Sequence, residues 1–174
     1  MKEENKIPTN SFVMLWVYVR GQFQAPIRHF TFWVYLFLAI LGLGALGIYV
    51  ELYRLLNSPS NWGGLLTAIY TYIPAIAAGA WLQMTLDESD RKYVRSFAAI
   101  AWALLVLPAF LHALNVYGEP KVSLGFGILG IIGSTALWWI ANGGNQSFQD
   151  FDPKDSLGGT AETEPQGDAS EYKV

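Results

Sequence analysis

Polar and apolar positions in this chain separate into long blocks rather than alternating. Four stretches, 30–50, 63–82, 97–113 and 122–141, contain no Lys, Arg, Asp or Glu. Each is close to the roughly 20 residues a helix needs to cross the hydrocarbon core of a bilayer. The pattern predicts an all-α integral membrane protein, a four-transmembrane-helix bundle over 30–142. Before it lies 1–29, with a shorter apolar run, Phe12-Val13-Met14-Leu15-Trp16-Val17-Tyr18-Val19. Eight residues at 1.5 Å each reach only about 12 Å, too little to cross. An N-terminal interfacial helix over about 10–24 is predicted, with Trp16, Tyr18 and Arg20 at headgroup level. No small-x-small cleavage site follows it, so a retained N-terminus is expected. After the bundle, 143–174 is acidic, polar and poor in aliphatics, and a disordered cytosolic tail is expected.

Pro74 and Pro108 fall inside the second and third stretches and predict kinks, with Thr71 or Tyr70 placed to serve the carbonyl freed by Pro74. Ser89 stands where it would cap a helix leading into the third span. Small residues recur at helical spacing. Gly42, Gly44 and Gly47 mark the first span, Gly64, Ala68, Thr71, Ala75 and Gly79 the second, and Ser123, Gly127, Gly130 and Ser134 the fourth. In lipid such stripes let helix backbones approach. Gly42, Gly44, Gly47, Gly64, Ala68, Ala75, Gly79, Gly127, Gly130 and Ser134 are therefore the expected packing or homo-oligomer face.

Composition supports the membrane reading. The chain is 52% hydrophobic and only 14% charged, against about 25% charged in soluble domains. There is no Cys, which removes disulfides, thiolate metal sites and iron–sulfur clusters. Charge then orients the bundle. Lys2, Lys6, Arg20, Arg28, Arg91, Lys92, Arg95, Lys154 and Lys173 fall on the side shared by the N-terminal segment, the second loop and the tail; only Arg54 and Lys121 fall on the other. Short Lys/Arg-rich loops stay cytoplasmic, so a multi-pass protein of the cytoplasmic membrane with both termini cytosolic is expected. No basic patch points to nucleic acid.

Candidate chemistry is sparse. His29 and His112 are the only histidines, and the topology puts them at opposite ends of the bundle, which excludes joint haem or metal ligation within one protomer. Glu51, Arg54, His112, Asn115 and Glu119 are expected near the outer ends of the first and third spans. They form a candidate outer polar cluster for a proton, ion or small ligand, although a satisfied network at the helix ends explains the same residues. Tyr70, Tyr72, His112 and Glu119 are the available acid–base groups and are expected at different depths. Asp87, Glu88, Asp90, Arg91, Lys92 and Arg95 in the second loop, with Phe148 and Phe151 in the tail, are the candidate cytosolic docking residues. No catalytic constellation, cofactor site or metal site is predicted.

These features point to a non-enzymatic membrane subunit. It would oligomerise or anchor a protein partner in, for example, a respiratory, secretion or stress-defence assembly. An oligomeric pore or small transporter lined by Thr67 and Thr71, or by Ser123, Gly127 and Ser134, is the alternative. A lipid- or quinone-acting membrane enzyme is the third reading.

Overall fold

The structure, a computed structural model, describes residues 10–58, 62–86, 92–148 and 150. Every regular element among them is helical. Helix α1 (Ser11–Gln24) starts at Asn10, whose side chain accepts the Phe12 N–H at 3.0 Å and satisfies one of the donors a helix start leaves unpaired. A 3-10 turn with Pro26 in its first turn and the extended backbone of His29 then redirect the chain. Ser11–Arg28 and Phe30–Gly44 meet at 95°.

The predicted first span is not one helix. It begins as α2 (Phe30–Val34), widens into a π-helix over Tyr35–Gly44, breaks at Ala45 and resumes as α3 (Leu46–Asn57). The wider π ladder leaves carbonyls over at its end. Two tyrosines serve them: the Tyr72 hydroxyl donates to the Ile40 carbonyl at 3.3 Å, and the Tyr49 hydroxyl to the Leu41 carbonyl at 2.6 Å. Gly42 is required here because a Cβ would sit 2.9 Å from the Phe37 carbonyl oxygen. Tyr49→Phe should leave the Leu41 carbonyl without this donor. A loss of about 1 kcal/mol in local stability is expected, read as faster amide exchange around the break.

Helices α4 (Trp62–Leu86), α5 (Lys92–Ala113) and α6 (Pro120–Asn142) are each long and apolar enough to cross a membrane; the bent pair Ser11–Arg28 and Phe30–Gly44 brings the total to four if it counts as one span. Both α4 and α5 run unbroken through Pro74 and Pro108. The help expected for the carbonyl freed by Pro74 goes elsewhere. Thr71 Oγ1 donates to the Thr67 carbonyl at 2.8 Å, and the Tyr70 hydroxyl donates to the Ser123 carbonyl.

Central α4 packs against α3, α5 and α6. One core cluster joins Phe32 and Leu36 to Ala77, Ala80 and Met84 of α4, Val94 and Ala98 of α5, and Leu137 and Trp138 of α6. The other joins Leu55 of α3 to Leu65, Leu66, Ile69, Tyr70 and Ile73 of α4, with Tyr117 and Leu124 against it. The starts of α2 and α5 and the ends of α4 and α6 therefore share one end of the bundle. The ends of α3 and α5 and the starts of α4 and α6 share the other.

The small residues of α6 face inward. A Cβ on Gly127 would meet Ile69 at 2.7 Å and one on Gly130 would meet Ile73 at 2.5 Å, while Ser134 is fully buried. That stripe is used up by α4–α6 packing within one protomer. It is closed to an oligomer contact, and Ser123, Gly127 and Ser134 cannot line a pore between protomers. On α4 the large residues turn inward, and Thr67, Thr71, Ala75 and Gly79 form an exposed small-residue stripe. Gly47 also faces open space, and Gly44 lies near Tyr72.

Order extends past the predicted tail boundary at 143. Phe148 packs edge-on against Tyr35, with ring centroids 4.8 Å apart, and lies beside Phe32 and Trp138. Asp150 bonds to the start of α2. An aromatic ring and a carboxylate in an otherwise polar segment have supplied the anchor that composition alone did not reveal. Residues 151–174 lie outside the described residues.

Candidate functional site

Two polar centres emerge, one at each end. At the end where α5 meets α6, α5 stops in a Schellman motif: Asn115 takes φ 57°, its N–H donates to the His112 carbonyl at 2.8 Å, and the Val116 N–H donates to the Leu111 carbonyl at 3.1 Å. Gly118, at φ 64°, turns the chain again, and Pro120 opens α6. This short return presses His112, in the last turn of α5, onto α4 and α6. Its ring stacks on Tyr70 with centroids 4.2 Å apart and an interplanar angle of 13°. Its Nδ1 lies 2.8 Å from Ser123 Oγ. Ser123 Oγ in turn donates to the Tyr70 hydroxyl at 3.3 Å, and that hydroxyl donates to the Ser123 carbonyl at 2.7 Å. Beside this arrangement is a small open cavity of about 70 Å³, lined by Leu66, His112, Asn115, Tyr117, Gly118, Glu119, Pro120 and Ser123. Partial burial, reinforced by neighbouring Tyr70, pushes the Tyr117 phenol up from its ordinary value; its hydroxyl points to the Pro108 carbonyl at 3.4 Å.

The predicted outer cluster is thus divided. His112, Asn115 and Glu119 share the cavity. Glu51 and Arg54 do not line it; they pair with each other at 2.6 Å on successive turns of α3, with the Glu51 carboxylate filling the notch over Gly64. Arg54 is largely exposed, so the pair adds little stability. The expectation that Tyr70, Tyr72, His112 and Glu119 are scattered in depth is corrected for three of them. Tyr70 touches His112, and Glu119 lines the same cavity. Tyr72, two residues from Tyr70 and therefore on another face of α4, serves the π-helix instead. The indispensable partner that sequence spacing did not single out is Ser123. It reads as one more small residue of a stripe until α5 and α6 are placed side by side.

At the other end the chain closes on itself. The Asp150 carboxylate accepts the Thr31 N–H at 3.0 Å, the Phe30 N–H and the Thr31 hydroxyl, while the Asp150 N–H donates to His29 Nδ1 at 3.2 Å. The Thr31 hydroxyl and N–H, helped by the Phe30 N–H and His29, hold this carboxyl below its ordinary value. Helix α1 is fixed beside it. Phe23 stacks on Trp139 with centroids 5.2 Å apart, and the Trp139 indole N–H donates to the Phe23 carbonyl at 3.0 Å. The two histidines therefore belong to separate centres. Among the described residues no group of three or more His, Cys, Asp or Glu is arranged to hold a metal.

Of the docking candidates, Lys92 and Arg95 are exposed on the first turn of α5, whereas Phe148 faces its own bundle. Asp87, Glu88, Asp90, Arg91 and Phe151, like the capping residue Ser89, lie outside the described residues. Comparison with protein-family models, curated proteins and solved structures gives no match to this chain.

Proposed function

We propose that the protein is a non-enzymatic polytopic subunit of the cytoplasmic membrane. It crosses four times with both termini cytosolic, associates with itself, and anchors a protein partner. The observation that carries this reading is the convergence of three flanks on one end of the bundle. Helix α1 is held there by Trp139, α4 ends and α5 begins there beside Met84 and Val94, and Asp150 is bonded there to the start of α2. Segments far apart in sequence thereby form one surface. Arg20, Arg28, Lys92 and Arg95 are all exposed on these flanks, which supports a cytosolic position. The apolar outward residues of α1, with Phe12 80% and Trp16 67% exposed, fit the headgroup boundary beside a helix that turns through 95° into the bundle.

Since Phe148 and Asp150 belong to the bundle, the informative truncation removes 151–174 and leaves the strap in place. Native-detergent purification from the source cell, followed by native mass spectrometry, should give an assembly heavier than the bundle for the full chain. That added mass should be lost on truncation. Recovery of the same bare bundle from both would overturn tail docking. For self-association, the exposed stripe of α4 is the face that allows close approach. Gly79→Leu should weaken it about ten-fold, roughly 1.4 kcal/mol, measured by dilution in detergent.

A further inference from the structure

Membrane anchoring makes no use of the His112 centre. We propose that Nε2 of His112 is a proton-binding site open to the outer cavity, held ready by a directed hydrogen-bond chain through Ser123 and Tyr70. The chain can be followed donor by donor. The Tyr70 hydroxyl gives its hydrogen to the Ser123 carbonyl at 2.7 Å. Its oxygen keeps lone pairs and accepts the Ser123 Oγ hydrogen at 3.3 Å. Ser123 Oγ, its hydrogen so directed, is left to accept from His112 Nδ1 at 2.8 Å. The neutral imidazole therefore carries its hydrogen on Nδ1. The lone pair is on Nε2, which has no protein partner among the described residues and belongs to a ring lining the cavity.

Proton uptake is then a single step. The Nε2 lone pair forms an N–H bond with a proton from outer water and the ring becomes cationic; no other bond changes, because the Nδ1 side is already a donor. The surroundings suit the cation. It lies flat on the Tyr70 ring at 4.2 Å, the geometry in which an aromatic face attracts positive charge. The titratable groups around it are Tyr70 from α4 and Tyr117 and Glu119 from the α5–α6 connection; α6 contributes Ser123, which carries no charge, and Lys121 does not line the cavity. An ionisable ring near the end of a membrane helix with a fixed partner and a way out to water is the arrangement expected of a proton site.

Side-chain nitrogen NMR of the full-length protein in nanodiscs reads the tautomer directly, and His29 supplies an internal reference. His29 Nδ1 accepts the Asp150 N–H, so neutral His29 should carry its hydrogen on Nε2. Neutral His112 should show the opposite tautomer, with its hydrogen on Nδ1. Ser123→Ala should abolish the preference for Nδ1–H at His112 and leave His29 unchanged. Tyr70→Phe, which keeps the stacked ring but removes the hydroxyl, should give mixed tautomers and serves if the serine variant does not fold. An Nε2–H tautomer at His112 in the unaltered chain would overturn the proposal. So would an Nδ1–H preference that survives both substitutions.

Discussion

Gly143→Ala should detach α1 from the bundle. Gly143 has an ordinary helical backbone, so conformation is not what requires glycine there. Space is. A Cβ at this position overlaps the Gln22 carbonyl oxygen and lies within 2.8 Å of its carbon. These are backbone atoms, which cannot swing aside as a side chain does. The end of α1 must move as a body, and the adjacent Phe23–Trp139 stack and indole hydrogen bond go with it. Overpacking of this kind costs about 1–3 kcal/mol. The expected result is faster amide exchange throughout 11–24 and a changed Trp139 environment, with the α4–α6 contact intact. Gly144→Ala is the matched control. Its Cβ meets only the Gln22 side-chain amide, which can rotate, so its effect should be several-fold smaller. Equal effects from both substitutions would mean that α1 is not held by this contact.

The helices long and apolar enough to cross a membrane were legible in the sequence because charge-free length is a direct consequence of the cost of burying charge in hydrocarbon. It placed α4, α5 and α6 within a few residues. What remained hidden depended on partners distant in sequence. Nothing local marks Tyr35–Gly44 as a π-helix, since its spare carbonyls are satisfied by Tyr49 and by Tyr72 on another helix. Proline was expected to kink the second and third spans; both helices continue through their prolines, and the π-helix falls in Tyr35–Gly44, which holds none. The His112 site was half visible. His112, Asn115 and Glu119 were expected together near the end of the third span, but they meet because Asn115 ends α5 in a left-handed turn and brings the chain back. The small-residue stripes were visible as contact faces, but their contacts were not. The stripe on α6 is consumed by Ile69 and Ile73, while the one on α4 points outward.

Releasing the strap formed by Phe148 and Asp150 should loosen the whole end of the bundle where α2 begins, and it can be done in two separable ways. Phe148 is half-buried among Phe32, Tyr35 and Trp138. Phe148→Ala removes that packing; because the ring is only partly covered, a loss of about 2 kcal/mol is expected, below the range for a core phenylalanine. Asp150 acts through charge. Its carboxylate completes the unpaired N–H groups at the start of α2, where the helix dipole also favours an anion. Folding lowers its pKa, so the unfolded chain binds the proton more readily. The stabilisation is therefore full above the ordinary carboxylate range and lost as pH falls through the lowered value. Protection of the Phe30 and Thr31 amides, taken relative to the intrinsic exchange rate at each pH, should be high at neutral pH and fall in acid. Asp150→Asn should show the acid behaviour at every pH, with no further change on acidification. Phe148→Ala should instead speed exchange at all pH values and keep the acid dependence. If Asp150→Asn retained both the protection and its pH profile, the carboxylate would not be the group that closes this end, and the aromatic socket alone would have to hold the strap.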